Sequence, residues 1–186
     1  MKALIVVDMQ KDFIDGTLAN PAAEKIISNI VEKISNFKGE IIFTRDTHFK
    51  DVYSSTLEGR HLPVLHCVEG TDGWQVDKRL VEAAEKNSNC TFEFINKLTF
   101  GHTNWANHWD SKEGVDALHL STKVPEEIEI CGTVTSICVA SNALILRAQF
   151  PLTEIYVDAN CCADLSPEKQ AAALEVMKSC QINVIE

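Results

Sequence analysis

The sequence predicts an α/β protein: a six-stranded, mostly parallel sheet with helices on both faces, a Rossmann-like three-layer α/β/α arrangement. Three observations predict it. Six short apolar runs rich in β-branched residues recur along the 186 residues, continuous rather than alternating, as befits strands covered on both faces. Helical patterns fall between them, and strands alternating with helices build parallel sheets through right-handed crossovers. Hydrophobic residues at 45% and charged residues at 24% describe a globular chain, long enough for one ordinary core and too short for two large ones.

In chain order, Ala3 to Val7 is the first strand. Asn20-Pro21 then opens a helix with proline at its first position, and Ile26, Ile27, Ile30, Val31 and Ile34 recur behind it on one face. Glu40 to Thr44 is the second strand, and Thr91 to Ile95 the third. Between them, Asp46 to Lys78 is long, rich in Gly, His and Asp, and aperiodic apart from a helix around Val76 to Lys86; long irregular segments in compact domains tend to carry function. Glu127 to Cys131 is the fourth strand, and Thr135 to Arg147, apolar almost all round, suits a helix buried against the sheet. Thr153 to Val157 is the fifth strand. Ser166-Pro167 starts a last helix expected to turn Ala172, Ala173, Val176 and Met177 inward, and Ile182 to Ile185 is the sixth strand. No repeat or Pro/Ser-rich linker interrupts this pattern, so residues 1–186 read as a single domain.

Composition narrows the partners. Lys plus Arg number 17 against 27 Asp plus Glu, a formal net charge of −10, with no basic cluster anywhere. Such a surface repels phosphate backbones and anionic lipid, which argues against nucleic acid and against membrane as partners. The apolar runs fall far short of the roughly 20 residues of a membrane span. Asp8 stands where a signal peptide would still be apolar, and seven cysteines without C-x-x-C spacing read as buried small hydrophobes in a reducing, cytoplasmic setting.

In an open parallel sheet, ligands bind beyond the carboxyl ends of the strands. Asp8 follows the first strand, Asp46 and His48 the second, Lys97 the third, and Cys138 lies in the first turn or so after the fourth. Each has a plain alternative as a turn carboxylate, a solvated lysine or a packed cysteine. The helix N-terminus at Cys138 favours thiolate over thiol and offers N–H groups for an oxyanion, while Asp8 and Lys97 would supply a base and a stabilising charge. In an extended segment residues two apart point the same way, so Asp46 and His48 suit one cation, with His66 as a third ligand. Zinc, iron and manganese all tolerate such a set. Glu58 and His61 could reach the metal as additional ligands, but a solvated loop residue is the safer reading for each; His102, Trp105, His108 and Trp109 could form a lid or a subunit contact, with packing the better reading.

Five motifs in order then carry a family resemblance: Val7-Asp8-Met9-Gln10-Lys11-Asp12-Phe13; Asp46-Thr47-His48; Leu62-Pro63 with His66-Cys67-Val68-Glu69-Gly70-Thr71-Asp72-Gly73; Lys97 with Phe100-Gly101; and Cys131-Gly132-Thr133-Val134-Thr135-Ser136-Ile137-Cys138-Val139. From Ala3 to about Ile185 the chain resembles the isochorismatase-like cysteine hydrolases, nearest their nicotinamidase (pyrazinamidase) group. The resemblance implies a catalytic triad of Asp8, Lys97 and Cys138, an oxyanion hole from the N–H groups of Val134 and Cys138, and a cis peptide before Val134. It implies that Phe13 walls the substrate pocket. Asp46, His48 and His66 would hold a divalent metal, zinc foremost with iron or manganese as alternatives, that coordinates the pyridine nitrogen of the substrate. The implied reaction is nicotinamide plus water to nicotinate and ammonia through a Cys thioester, in NAD salvage, by a homo-oligomer. The alternative is a related amidase or carbamoyl hydrolase acting on another small carboxamide or ureido compound. A non-catalytic ligand sensor would require a lost triad member, and none is missing. Two departures stand out: Ser136 occupies a position that is acidic in many members, and Asp51 to His61 lacks the usual second His and aromatic pattern, which leaves the fourth metal ligand open.

Overall fold

The computed structural model describes residues 1–110 and 123–186. Six strands, β1 (Lys2–Val7), β2 (Gly39–Asp46), β3 (Cys90–Lys97), β4 (Glu127–Thr133), β5 (Glu154–Ala163) and β6 (Asn183–Ile185), form one sheet in the order β3-β2-β1-β4-β5-β6. Every pairing between neighbours in it is parallel. All six strands stand where the apolar runs predict them. β5 extends six residues past its expected end because, after a bulge between Ile130 and Gly132, the ladder to β4 resumes at Cys162 and Ala163. Residues Ala3 to Val7 are wholly buried, the expected signature of a central strand with both faces covered.

Helices cover the two faces. α1 (Lys11–Ile14) is one short turn, and α2 (Pro21–Asn36) buries Ala23, Ile26, Ile27, Ile30 and Ile34. Its cap is the predicted one: the Asn20 side chain accepts a hydrogen bond from the Ala22 N–H at 3.0 Å, ahead of Pro21. The irregular segment holds a 3-10 turn (Tyr53–Ser55) and the short α3 (Leu57–His61) before α4 (Lys78–Lys86), which packs on α2. After β3 comes α5 (Trp105–His108), where Trp105 and Trp109 are buried and stacked with centroids 5.6 Å apart, which settles them as packing residues. α6 (Ala140–Gln149) and α7 (Pro167–Ser179) pack against one another.

α7 corrects one expectation. Its buried residues are Ala173, Leu174 and Met177, whereas Ala172 is exposed and Val176 is 54% exposed. The inward stripe follows the i, i+1, i+4 positions from Ala173, and Ala172 and Val176 form the adjacent stripe, which the nearly apolar run Gln170–Met177 does not distinguish by pattern.

Asp77 caps α4, accepting from the Arg79 N–H at 2.9 Å and pairing with the Arg79 guanidinium at 2.7 Å. Burial opposes ionisation of this carboxyl, but the hydrogen bonds and charge of Arg79 prevail and hold its pKa below the ordinary carboxylate range. A carboxyl depressed in the folded state contributes stability above its unfolded pKa of about 3.9 and loses it as pH falls further. Asp77→Asn is therefore expected to melt at a lower temperature than the parent at pH 6. The gap should narrow as melting is followed from pH 4 to pH 2; a pH-independent gap would contradict this.

Candidate active site

The strand order reverses between β1 and β4, and the crevice at such a switch point receives ligands in parallel α/β sheets. Asp8 leaves β1 in a left-handed conformation, φ +48°. It is fully buried, and its Oδ1 accepts a 2.7 Å hydrogen bond from the Thr44 hydroxyl of β2. Lys97 ends β3 directly opposite Asp46, the last residue of β2. Only 2% exposed, it is the reverse of a solvated lysine. Its Nζ lies 2.6 Å from Asp8 Oδ2, 3.2 Å from Asp46 Oδ1 and 3.8 Å from Cys138 Sγ, and donates to the Thr99 carbonyl at 3.1 Å.

Cys138 reaches the crevice by a different local structure from the one expected. Residues Thr135–Val139 form a π turn, and only from Ala140 does the α-helix run. The peptide Thr133–Val134 is cis. At Gly132, φ +121°, a Cβ would come within 2.1 Å of the Val7 carbonyl oxygen, so only glycine lets β4 lie this close to β1 here. The turn at Ser136 is framed from another strand end: buried Asp164 accepts from the Ser136 N–H at 2.6 Å and from the Leu165 N–H at 2.7 Å.

The charges of this group are set by burial first. Burial raises the Cys138 thiol well above its ordinary pKa, and Lys97 opposes without reversing it; the same balance raises Asp8. Burial alone would strip Lys97 of its proton, but the surrounding acidic groups outweigh it and raise its pKa. The helix end is therefore not the only influence on the sulfur: burial pushes the Cys138 thiol and the Asp8 carboxyl up, and Lys97 pulls both down.

A second cluster lies next to the first. Gln10, buried after β1, pairs its amide with the Asp46 backbone, donating to the Asp46 carbonyl at 2.9 Å and accepting from its N–H at 2.7 Å. The two loops after Asp46 and before Val68 are joined by a short parallel bridge, His48 N–H to Cys67 carbonyl and Glu69 N–H to His48 carbonyl, both 3.0 Å. Cys67, itself at φ +45°, gives its N–H to Asp12 at 2.7 Å. His48 and His66 thereby meet over Asp46. The Nδ1–H of His66 donates to the Val64 carbonyl at 2.8 Å, which leaves Nε2 facing the cluster.

Glu58, expected to be solvated, joins them from α3, while His61 on the same short helix remains exposed. From His48 Nε2 the distances are 3.0 Å to Asp46 Oδ2 and 3.7 Å to Glu58 Oε1; from His66 Nε2 both are 3.6 Å. Ligands of a tetrahedral zinc at 2.0–2.2 Å stand about 3.4 Å apart, so these spacings suit a divalent cation. Electrostatics agrees. Burial and the neighbouring Asp46 charge push the Glu58 pKa up, a repulsion that a cation between them relieves.

A cavity of about 540 Å³ joins the two clusters, with Val134 and Cys138 on one side and Phe13, Asp46, Glu58 and His66 on the other. The Phe13 and His66 rings meet edge to face, 5.5 Å apart. Of the residues singled out in the sequence, the structure thus gathers Asp8, Phe13, Asp46, His48, His66, Lys97, Val134 and Cys138 around one crevice. Glu58, weighed in the sequence as a further ligand but read as solvated, joins them, and Asp164 was not foreseen there; both act through space from segments without a motif of their own.

Comparison with known proteins bears on the family and the fold. A model of the isochorismatase domain matches residues 2–186. The nicotinamidase/pyrazinamidase of Mycobacterium tuberculosis is 26% identical, with 100% of this chain and 98% of that protein covered. The nicotinamidase of Saccharomyces cerevisiae is 27% identical, with both chains covered in full. Among solved structures, the pyrazinamidase of Pyrococcus horikoshii in complex with zinc superposes with a TM-score of 0.76 at 27% identity, covering 100% of this chain and 98% of that one.

Proposed function

The chain belongs to the isochorismatase family, and from that membership and the crevice we propose that it is a metal-assisted cysteine amidohydrolase converting nicotinamide to nicotinate and ammonia. The observation that carries the reading is one cavity shared by a buried thiol, flanked by a carboxylate and an ammonium, and a four-donor cluster of two histidines and two carboxylates.

In this reading Asp8, Lys97 and Cys138 are catalytic. Asp8 takes the proton of the Cys138 thiol as the sulfur attacks the carboxamide carbon; a C–S bond forms, and the carbonyl electron pair moves onto oxygen. The N–H groups of Val134 and Cys138 hold that oxyanion, and Lys97 balances the negative charge around sulfur. Collapse breaks the C–N bond, and Asp8 returns its proton to the departing ammonia. Water, deprotonated by Asp8, then cleaves the thioester to release the carboxylate and restore the thiol. Asp46, His48, Glu58 and His66 would hold the divalent cation, for which zinc is the first choice. Bound there, a divalent cation would supply a Lewis acid for the ring nitrogen of the substrate, and Phe13 would wall the ring in. Seven cysteines without a disulfide and the absence of any membrane-spanning helix among the described residues accord with a cytoplasmic place in NAD salvage.

The test is a panel of nicotinamide, pyrazinamide and ureido compounds given to purified protein, with ammonia measured and the metal content of the same preparation determined. Ammonia release from nicotinamide is expected. Turnover of the ureido compounds alone would transfer the same crevice to the carbamoyl hydrolase reading.

A further inference from the structure

Asn142 is wholly buried in α6, one turn beyond Cys138. A buried primary amide is costly unless its hydrogen bonds are made. Here they are made across two elements: Nδ2 donates to the Cys138 carbonyl at 2.8 Å and to the Phe100 carbonyl at 3.3 Å, and Oδ1 accepts from the His102 N–H at 2.9 Å. Two of the three bonds therefore tie the loop 98–102, which follows Lys97, onto the helix that continues from the turn carrying the thiol. A second contact presses the same loop on the same helix. A Cβ at Gly101 would meet Ile145 Cδ1 at 2.5 Å and Ser141 Cβ at 3.2 Å, so glycine is what lets the backbone lie there.

The loop has one contact with the charged group. The Thr99 carbonyl accepts from Lys97 Nζ at 3.1 Å, and the Thr99 hydroxyl donates to the Gly101 carbonyl at 2.8 Å, which couples Thr99 to the docked glycine. The other oxygen partners of the ammonium, Asp8 and Asp46, are both carboxylates. Thr99 is the neutral partner that opposes their pull.

We propose that Asn142 is a positioning residue: by docking the loop 98–102 on α6 it fixes the Thr99 carbonyl, and through it the place of the Lys97 ammonium between Asp8 and Cys138. This rests on the chemistry proposed above for Lys97 and Cys138. Without the clamp the ammonium settles onto the carboxylates and leaves the sulfur without its balancing cation.

Asn142→Ser isolates the clamp, because a serine hydroxyl in a helix still bonds to the carbonyl four residues back but cannot reach the loop. Gly101→Val lifts the loop without touching Asn142. Two rates are read in each variant: alkylation of Cys138 by iodoacetamide, followed on its own peptide among the seven cysteines, and steady-state nicotinamide hydrolysis. Both variants are expected to slow alkylation and kcat together by about 10- to 100-fold, the usual cost of a misplaced catalytic group, with KM within about twofold and melting temperature within a few degrees. An unchanged alkylation rate in a folded variant, or a rise in KM with kcat retained, overturns the proposal. Should Asn142→Ser not fold, Gly101→Val decides by the same criteria. Alkylation needs no substrate, so it tests the clamp even if nicotinamide is not hydrolysed, and a chain that fails on nicotinamide leaves the two results separate.

Discussion

Replacing Cys138 by alanine is expected to reduce ammonia release from nicotinamide by at least about 10⁴-fold, since removing the nucleophile of a hydrolase whose residues act as a unit costs up to about 10⁶ in kcat. The substitution deletes one sulfur from the cavity wall and leaves Asp8, Lys97 and the metal-ligand cluster in place, so binding of nicotinate should persist. Asp8→Asn should be comparably inactive for a different reason: an amide of the same shape cannot take the thiol proton, and burial raises the pKa of that thiol. Acid quenching of the parent during turnover should trap an acyl group on Cys138, seen as a mass adduct on its peptide. Full activity in Cys138→Ala, by contrast, would remove the thioester route altogether.

The second large effect is metal removal. Dialysis against a strong chelator is expected to yield protein without the cation, at least about 10- to 100-fold less active, the loss that even a missing supporting partner of a ligand produces. Readdition of zinc, iron or manganese singly should restore activity and identify the preferred ion. His66→Ala should lower metal content in the purified protein to a small fraction of one ion per chain. It spares Asp46, whose pairing with Lys97 would confuse the result. Loss of metal should also lower the melting temperature of the parent, because Asp46 and Glu58 then face one another without the cation, and a ligand that binds only the folded chain stabilises it. Full activity in metal-free protein would separate the four-donor cluster from the reaction.

Much of this site was legible before any coordinates. Asp8, Asp46 and Lys97 stand at or just past strand ends that hydrophobic runs reveal, and a parallel sheet delivers all its strand ends to one rim. Glu58 could be weighed but not chosen over His61, because α3 carries no periodicity and its carboxylate joins His48 and His66 only when two loops are bridged at His48 and Val68. Asp164 escaped for the same kind of reason: it serves a turn 28 residues away, and nothing in its own neighbourhood signals that. Asn142 reads as an ordinary polar helix residue until its three backbone partners are seen. The burial that pushes the Cys138 thiol up was not legible either, because a helix end is visible in a sequence whereas depth of burial is not.

By itself the sequence determined the sheet, its helices and the set of reactive residues along its rim, since continuous apolar runs, a proline after a capping asparagine and the ordered motifs are properties of neighbours in the chain. Only the tertiary structure decided which second carboxylate joins Asp46, His48 and His66, how burial shifts the charged groups and which atoms surround the Lys97 ammonium. Those depend on desolvation and on distances between residues remote in sequence, and neither is encoded in local pattern.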